Sequence, residues 1–184
     1  MQRLNKLVAA ALALVTVLVL CPSAAYAAQK VSAKYFSTKS TTSKIMNGAP
    51  AITTGTTTVK VPKKRGWVKF TAPESKTYTF TLSGATTKGS KSVIGVQMSK
   101  MTRTKFSILK LKTTEGKRTY LVLSDVATAK KYTKARLIYN KLKHRYLATR
   151  TVTVKLDAGE SVYLSLAAAN SKGAVAGTLS VSVK

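Results

Sequence analysis

The side chains that could perform acid–base or nucleophilic chemistry are few in this 184-residue chain, which contains one histidine, one cysteine and five Asp or Glu residues. His144 is the histidine, and the Lys and Arg residues around it disfavour its protonation. A Ser-His-Asp arrangement could use Asp125 or Asp157, but no serine stands in a Gly-x-Ser-x-Gly turn or a comparable context. We therefore predict that His144 is a strand residue at the rim of a sheet and that the chain is not an enzyme.

The carboxylates are too scattered to hold a hard metal ion. Calcium takes six to eight oxygen ligands, whereas the acidic residues of the chain are Glu74, Glu115, Asp125, Asp157 and Glu160. The carboxylate pair of a glycoside hydrolase would have to come from Asp157 and Glu160, which lie in one turn. There, Glu160 is better placed to accept hydrogen bonds from the turn. We predict no metal and no cofactor.

Positive charge is the most informative feature of the composition. The chain carries 32 Lys and Arg residues against five acidic ones, a formal net charge of +27. Between Lys100 and Lys155 there are 16 basic and two acidic residues, whereas from Leu156 to Lys184 the two kinds balance. Repulsion among so many positive charges weakens the folded state, so a need for solubility alone does not explain the excess. Surfaces with such an excess of positive charge bind polyanions.

The type of cation narrows the predicted partner. Seven of the 32 basic residues are Arg. The rest are Lys, whose compact charge suits attraction to a repeating anionic chain better than it suits the reading of bases. We expect a surface-associated binding or adhesion module for anionic cell-wall polyphosphate or host glycosaminoglycan. The predicted polyanion-binding residues are Lys110, Lys112, Lys130, Lys131, Lys134, Arg136, Lys141, Lys143 and Arg145.

Two other functions remain open. One is nucleic-acid binding, with extracellular DNA as the available target. Aromatic side chains that face outward beside lysines would favour this function. The aromatics considered for stacking are Trp67, Tyr120, Tyr132, Tyr139 and Tyr146, which we expect to pack in the core or on a sheet surface instead. The other function is that of an accessory domain that partners a secreted hydrolase and docks it on an acidic substrate.

Residues 1–27 have the pattern of a cleavable signal peptide. A short basic start precedes 14 apolar residues from Leu7 to Leu20, and Ala25-Tyr26-Ala27 has small residues at the two positions that an export peptidase reads. The apolar run is shorter than the about 20 residues of a membrane span. Cys21 raises the alternative of a lipidated cysteine, which the bulky residue before it disfavours. Cleavage would leave 157 residues with a net charge of +25, no cysteine and no transmembrane segment, secreted and associated with the cell wall.

The remaining sequence has an apolar period of two, which is typical of strands. Apolar residues alternate with polar ones in these groups: Val59 and Val61; Val68 and Phe70; Tyr78, Phe80 and Leu82; Val152, Val154 and Leu156; Val162, Leu164 and Leu166; Leu179, Val181 and Val183. The breaks between the groups carry Gly, Pro, Asn or Ser, and Gly84 to Ser92 is predicted to be a polar loop. We predict an all-β domain, an antiparallel two-sheet β-sandwich.

Two segments depart from this pattern. In Lys130 to Ala148, apolar residues at spacings of three and four would form one face of a basic amphipathic helix. From Leu142 to Leu156, however, the even positions are mostly apolar, which favours a hairpin of two strands. We prefer the hairpin. The segment from Ala28 to Gly55 is basic and rich in Ser and Thr. Val31 to Phe36 is a candidate first strand within it, and Ser37 to Lys44 is predicted to be a mobile linker.

Several stretches resemble the bacterial pre-peptidase C-terminal (PPC) domain. GWVKFTAPESKTYTFTLSG, Gly66 to Gly84, is similar to its first half, ARLIYNKLKHRYLA to its middle hairpin, and LDAGESVYLSL, Leu156 to Leu166, with GTLSVSVK, to its second half. The resemblance covers roughly Thr56 to Lys184 and implies a jelly-roll-like β-sandwich. Members of that family generally accompany a secreted peptidase. None is encoded here, so we expect a stand-alone secreted form. Some members could hold calcium with acidic loop residues, and we do not carry calcium over.

The residue types in two of these stretches explain why the chain turns there. In Ala72-Pro73-Glu74-Ser75, the proline lacks an N–H, so it cannot continue a strand ladder, and it presets a turn dihedral. In Ala158-Gly159, the glycine is free to take a positive φ between two strands.

Overall fold

A computed structural model of the chain describes residues 28–87, 92–113, 116–124 and 147–184. The predicted signal peptide, His144 and residues 130–146 of the predicted hairpin lie outside the described residues. Within the described ranges there are fifteen strands and one helix. In chain order they are β1 (Gln29–Ser32), β2 (Lys34–Tyr35), α1 (Thr42–Gly48), β3 (Ala51–Ile52), β4 (Gly55–Val61), β5 (Gly66–Thr71), β6 (Lys76–Thr87), β7 (Val93–Met101), β8 (Phe106–Ile108), β9 (Leu111–Thr113), β10 (Gly116–Arg118), β11 (Leu121–Ser124), β12 (Arg150–Leu156), β13 (Ser161–Asn170), β14 (Gly173–Val175) and β15 (Gly177–Val183).

The strands form two main sheets. The first sheet has the order β1, β4, β15, β6, β12, and its neighbours are antiparallel except β1 and β4, which are parallel. The second sheet has the order β11, β7, β13, β5, β2, with β8 added beside β7, β14 beside β13 and β3 beside β5. β9 and β10 form a separate antiparallel hairpin.

The core lies between the two sheets and is built by the alternating residues. Every apolar residue of the predicted alternating groups is buried. The ring of Phe70, from the second sheet, meets those of Tyr78 and Phe80, from the first sheet, edge to face, with centroids 4.9 and 5.5 Å apart. Rings packed in this way add to the stabilisation from their buried area. The prediction of an antiparallel two-sheet β-sandwich is confirmed.

The two predicted turns occur where the sequence indicated them. Residues 72–75 separate β5 from β6, and Tyr78 Oη donates a 2.9 Å hydrogen bond to the carbonyl oxygen of Glu74 in that turn. Gly159 has a φ of 79° between β12 and β13, in the left-handed region that glycine adopts without strain. The Glu160 carboxylate accepts a 3.2 Å hydrogen bond from the Asp157 N–H, so its predicted role in the turn is confirmed.

The predicted mobile linker from Ser37 to Lys44 is wrong at its C-terminal end. Helix α1 begins there, with Thr41 as its N-cap: the Thr41 hydroxyl accepts a 3.3 Å hydrogen bond from the Lys44 N–H. The helix packs Ile45 against the outer side of the second sheet. The stretch has no helical period of its own. Its seven residues form a helix because Thr41 caps the first turn and the buried Ile45 docks the helix on an existing sheet.

The predicted polar loop from Gly84 to Ser92 is also wrong at its start. Strand β6 continues through Thr87, because β15 pairs with it as far as that residue. The Thr86 and Thr178 hydroxyls form a hydrogen bond across these two strands. A polar outward face is compatible with a strand in a sheet that has one solvated side.

Candidate functional site

Two of the predicted polyanion-binding residues, Lys110 and Lys112, are described, and both are exposed. Lys110 lies between β8 and β9, and Lys112 is the middle residue of β9. The described part of the predicted surface is therefore the β9–β10 hairpin. The other seven predicted residues, Lys130, Lys131, Lys134, Arg136, Lys141, Lys143 and Arg145, lie outside the described residues, and their placement stays a prediction.

The hairpin brings two further cations beside the predicted ones. Lys112 lies directly opposite Lys117 in the antiparallel register, and Arg118 lies opposite Leu111. Leu111 is 3% exposed and anchors the hairpin in the core. Like charges that face each other across a ladder destabilise it, so an anion between Lys112 and Lys117 would relieve their repulsion. Lys117 and Arg118 were not singled out from the sequence, although they belong to the same basic stretch as Lys110 and Lys112.

Carboxylates neutralise few of the described cations. The described ranges hold 21 Lys or Arg and three Asp or Glu residues, a net charge of +18. Lys76 Nζ lies 2.7 Å from Glu74 Oε1, and Lys100 Nζ lies 2.6 Å from Glu160 Oε1. The hydrogen bond from Lys100 lowers the pKa of the Glu160 carboxyl, and the hydrogen bond to Glu74 raises the pKa of the Lys76 ammonium group. These pairs cancel two positive charges and leave a large excess on the surface.

A cleft beside helix α1 has a cationic and aromatic lining. Its volume is about 530 Å³, and its lining includes Lys34, Phe36, Ser37, Ser40, Lys44 and Asn47. Lys34 Nζ lies 5.5 Å from the centroid of the Phe36 ring, and the Ser37 and Ser40 hydroxyls share a 3.2 Å hydrogen bond. None of the described lining residues is a carboxylate. Ammonium groups, hydroxyls and an amide in one cleft suit a small anionic group.

An exposed aromatic side chain, that of Tyr35, also lines this cleft. Tyr35 is 43% exposed, and Lys64 Nζ lies 4.9 Å from the centroid of its ring, a cation–π distance. Lys63, Lys64 and Arg65 are consecutive and exposed. Sequence reasoning considered other aromatics and missed Tyr35. The period of two in the candidate first strand is no signal for it, because that period groups Tyr35 with the buried Ala33.

The aromatics that were considered for stacking have packing roles where they are described. Trp67 is 8% exposed and packs with Phe36, Ile45 and Tyr163. Tyr120 is 37% exposed and lies over Gly95, where a Cβ atom would come within 1.6 Å of Tyr120 Oη. Burial raises the pKa of the Tyr120 hydroxyl, and the nearby Arg65 charge partly offsets this. Tyr132, Tyr139 and Tyr146 lie outside the described residues.

The described ranges contain no group of three or more His, Cys, Asp or Glu side chains that could hold a metal ion. In the same ranges, no helix has the length and apolar character needed to cross a membrane.

Comparisons with known proteins leave the family open. No protein-family model matches the chain, and no curated protein matches it. Among solved structures, the chain is similar to CorA of Methylomicrobium album BG8, described as a surface-associated copper-binding protein important in copper acquisition. That likeness has 10% sequence identity and a TM-score of 0.40, and it covers 74% of this chain and 98% of the other. At this TM-score the likeness carries no argument about function, and the PPC resemblance stays a prediction.

Proposed function

We propose that this protein is a secreted, non-catalytic binding module that adheres to anionic polymers at a cell surface, either cell-wall polyphosphate or a host glycosaminoglycan. The observation that carries the proposal is the charge of the described residues: 21 of them are basic and three are acidic, and two of those acids are already in ion pairs. An excess of this size attracts polyanions at a distance and releases their counterions on binding.

The β9–β10 hairpin supports the proposal with a local geometry. Lys112 and Lys117 face each other, and Lys110 and Arg118 lie within the same short segment. A phosphate or sulfate group bound there removes a repulsion that the free protein carries, so part of the binding free energy comes from relief within the hairpin. Lysines of this kind give affinity without selecting a sequence of sugars or bases.

The proposal is tested by salt-gradient elution of the purified protein from matched columns of heparin, teichoic acid and single-stranded DNA. We expect retention on all three at about 0.15 M salt and a linear fall of log affinity with log salt concentration. A protein that passes through all three columns at that salt would not have the proposed function.

A matched pair of double variants separates the hairpin from net charge. Lys112→Gln with Lys117→Gln removes two lysines that face each other, and Lys76→Gln with Lys100→Gln removes the same charge from two ion pairs. We expect the first variant to elute at distinctly lower salt than the second. Equal elution of the two would mean that the hairpin is not a contact surface.

Single-stranded nucleic acid is a second candidate ligand, favoured by the exposed Tyr35 ring beside Lys64. Bases stack on such rings, with about 1–3 kcal/mol lost per base on substitution by alanine. A Tyr35→Ala variant that loses retention on single-stranded DNA and keeps it on heparin would support this candidate. Parallel losses on both columns would argue against it. An accessory role beside a secreted hydrolase remains a further proposal with no described contact behind it.

A further inference from the structure

The outward side chains of the first sheet form a surface that we call the hydroxyl face. On β4 and β15 the outward residues are Thr56, Thr58, Lys60, Thr178, Ser180 and Ser182, because the residues between them are buried. The same alternation applies to β6 and β12, where the outward positions after Lys76 are Ser, Thr or Lys apart from Gly84. All of these side chains are exposed or half-buried.

The strand register aligns these hydroxyls in rows that cross the sheet. One row runs through Thr56, Ser182, Thr81 and Thr151 on four adjacent strands. Neighbouring strands lie about 4.7–4.9 Å apart and alternate residues along a strand about 6.6–6.8 Å apart, so the hydroxyls form a two-dimensional array. An extended polymer that lies along a row therefore meets a hydroxyl at every strand.

The hydroxyls are held in place by one another. Thr56 Oγ1 donates a 3.3 Å hydrogen bond to Ser182 Oγ, and the Thr81 and Thr151 hydroxyls are 3.3 Å apart. Each hydroxyl has one proton to donate and two lone pairs. In each pair one proton is used within the sheet, so the second is left to point at a ligand. The pairs thus present oriented donors to whatever covers the face.

The charges around the array select an anion. Lys30, Lys60, Lys155 and Lys184 stand at outward positions on or directly after the strands of this sheet. The three described carboxylates lie in turns, and none of them occupies an outward strand position of the sheet. Strand propensity explains the threonines on a solvated face and the scarcity of carboxylates there, but it explains neither the serines nor the outward lysines. Donor hydroxyls framed by ammonium groups match the oxygens of phosphate or sulfate.

We infer that the hydroxyl face is the platform on which an extended phosphate-bearing polymer lies, with its anionic oxygens on the hydroxyl rows and its charge balanced by the surrounding lysines. This inference rests on the proposed function and deepens it, because it adds a hydrogen-bonding surface to the electrostatic attraction. It also assigns the selectivity for a linear polymer to Thr and Ser rather than to the lysines alone.

The experiment compares a hydroxyl variant with a lysine variant by equilibrium binding to teichoic acid and to heparin across a salt series. Thr79→Val with Thr153→Val removes two hydroxyls that face each other in the register and keeps the branched shape that strands favour. We expect a loss of about tenfold or more in affinity, since hydrogen bonds to charged groups are strong, with an unchanged slope of log affinity against log salt. The Lys60→Gln, Lys155→Gln variant should instead reduce the slope by up to about 0.7–0.9 per lysine.

Two controls keep the result interpretable. Thr104→Val with Thr119→Val makes the same chemical change at exposed positions outside the sheet strands and should bind like the parent protein. Thr79→Ser with Thr153→Ser keeps the hydroxyls and removes the methyl groups, so it should bind like the parent protein. Weaker binding by this variant would mean that the methyl groups, and not the hydroxyls, carry the effect. The teichoic acid arm should respond more than the heparin arm. A larger response of the heparin arm would mean that the face takes a sulfated polymer and would overturn the assignment to a phosphate-bearing one.

The outcomes distinguish this inference from the proposed function. If the parent protein binds both polymers and Thr79→Val with Thr153→Val leaves the affinity unchanged, the hydroxyl face is not the platform, while the proposed function stands. If the parent protein binds neither polymer, the proposed function fails and the inference fails with it. Equal affinity for an uncharged dextran would also overturn the inference, because the lysine frame would then have no part in binding.

Discussion

The two sheets contribute equally to one core, but their outer faces differ. On the second sheet, Phe36, Ile45 and Ala49 from the N-terminal segment pack on Trp67 and Tyr163. On the first sheet, the outward side chains are Ser, Thr and Lys, and they remain exposed or half-buried. A face that is covered by its own chain adds to stability, whereas a polar face that stays open is available to a partner. The following substitutions test this division.

The largest effect is expected from Trp67→Ala on the covered face. Trp67 is 8% exposed and joins the helix to the sheet, and truncation of a buried Trp typically costs about 3–5 kcal/mol. Urea unfolding should show this loss in the free energy of unfolding. The matched change on the open face, Thr81→Ala, should cost less than about 1 kcal/mol. Similar costs for the two would contradict the division between the faces.

An intermediate effect is expected from Gly95→Ala, also on the second sheet. The added Cβ would lie 1.6 Å from Tyr120 Oη and 2.2 Å from Cζ, so the ring must move off the sheet. Overpacking of this kind costs about 1–3 kcal/mol. Moving the ring into water should return the pKa of Tyr120 from its raised value toward its usual range, which absorbance titration of the tyrosines would detect. An unchanged titration would mean that Tyr120 is not packed on Gly95.

The raised pKa of Tyr120 also makes stability depend on pH. Because burial favours the neutral hydroxyl in the folded protein, its contribution is fully present below the unfolded tyrosine pKa of about 10 and is lost as the pH rises through the higher folded value. Tyr120→Phe should lose less stability than the parent between neutral pH and pH about 11. Tyr163 has a raised pKa from burial too, so Tyr163→Phe serves as the comparison on the same sheet.

The smallest effect on stability is expected from replacing one lysine on each sheet, Lys100 in an ion pair and Lys155 without a carboxylate partner among the described ion pairs. Lys100→Gln breaks a pair with Glu160 whose side chains are 34% exposed, and such pairs are worth about 0.2–1 kcal/mol. Because the Glu160 pKa is lowered in the folded protein, this contribution is present above the unfolded carboxyl pKa and is lost as the pH falls through the folded value. Lys155→Gln on the open face should cost nothing or slightly stabilise, since it removes repulsion. An equal loss in both variants by thermal unfolding would remove the contrast.

Much of the β framework could be predicted from the sequence, and the errors have a common cause. The alternation of Tyr78, Phe80 and Leu82 with threonines predicts both the strand and its buried side, because the strand period places alternate residues on opposite faces. The end of β6 and helix α1 were missed, because Thr86 and Ile45 take their structure from partners distant in the chain. Lys110 and Lys112 could be named as candidate contact residues, because charge density is a property of composition, but their place on the β9–β10 hairpin is visible only in the structure.

The sequence by itself determined the strands, the buried side of each and the large positive charge, since these depend on local period and on residue type. Only the tertiary structure decided which outward residues share a face. Thr56 and Ser182 lie 126 positions apart in the chain and yet share a hydrogen bond, because β4 and β15 are neighbours in the first sheet. Strand pairing at such separations is set by long-range packing and topology, which a local pattern does not encode.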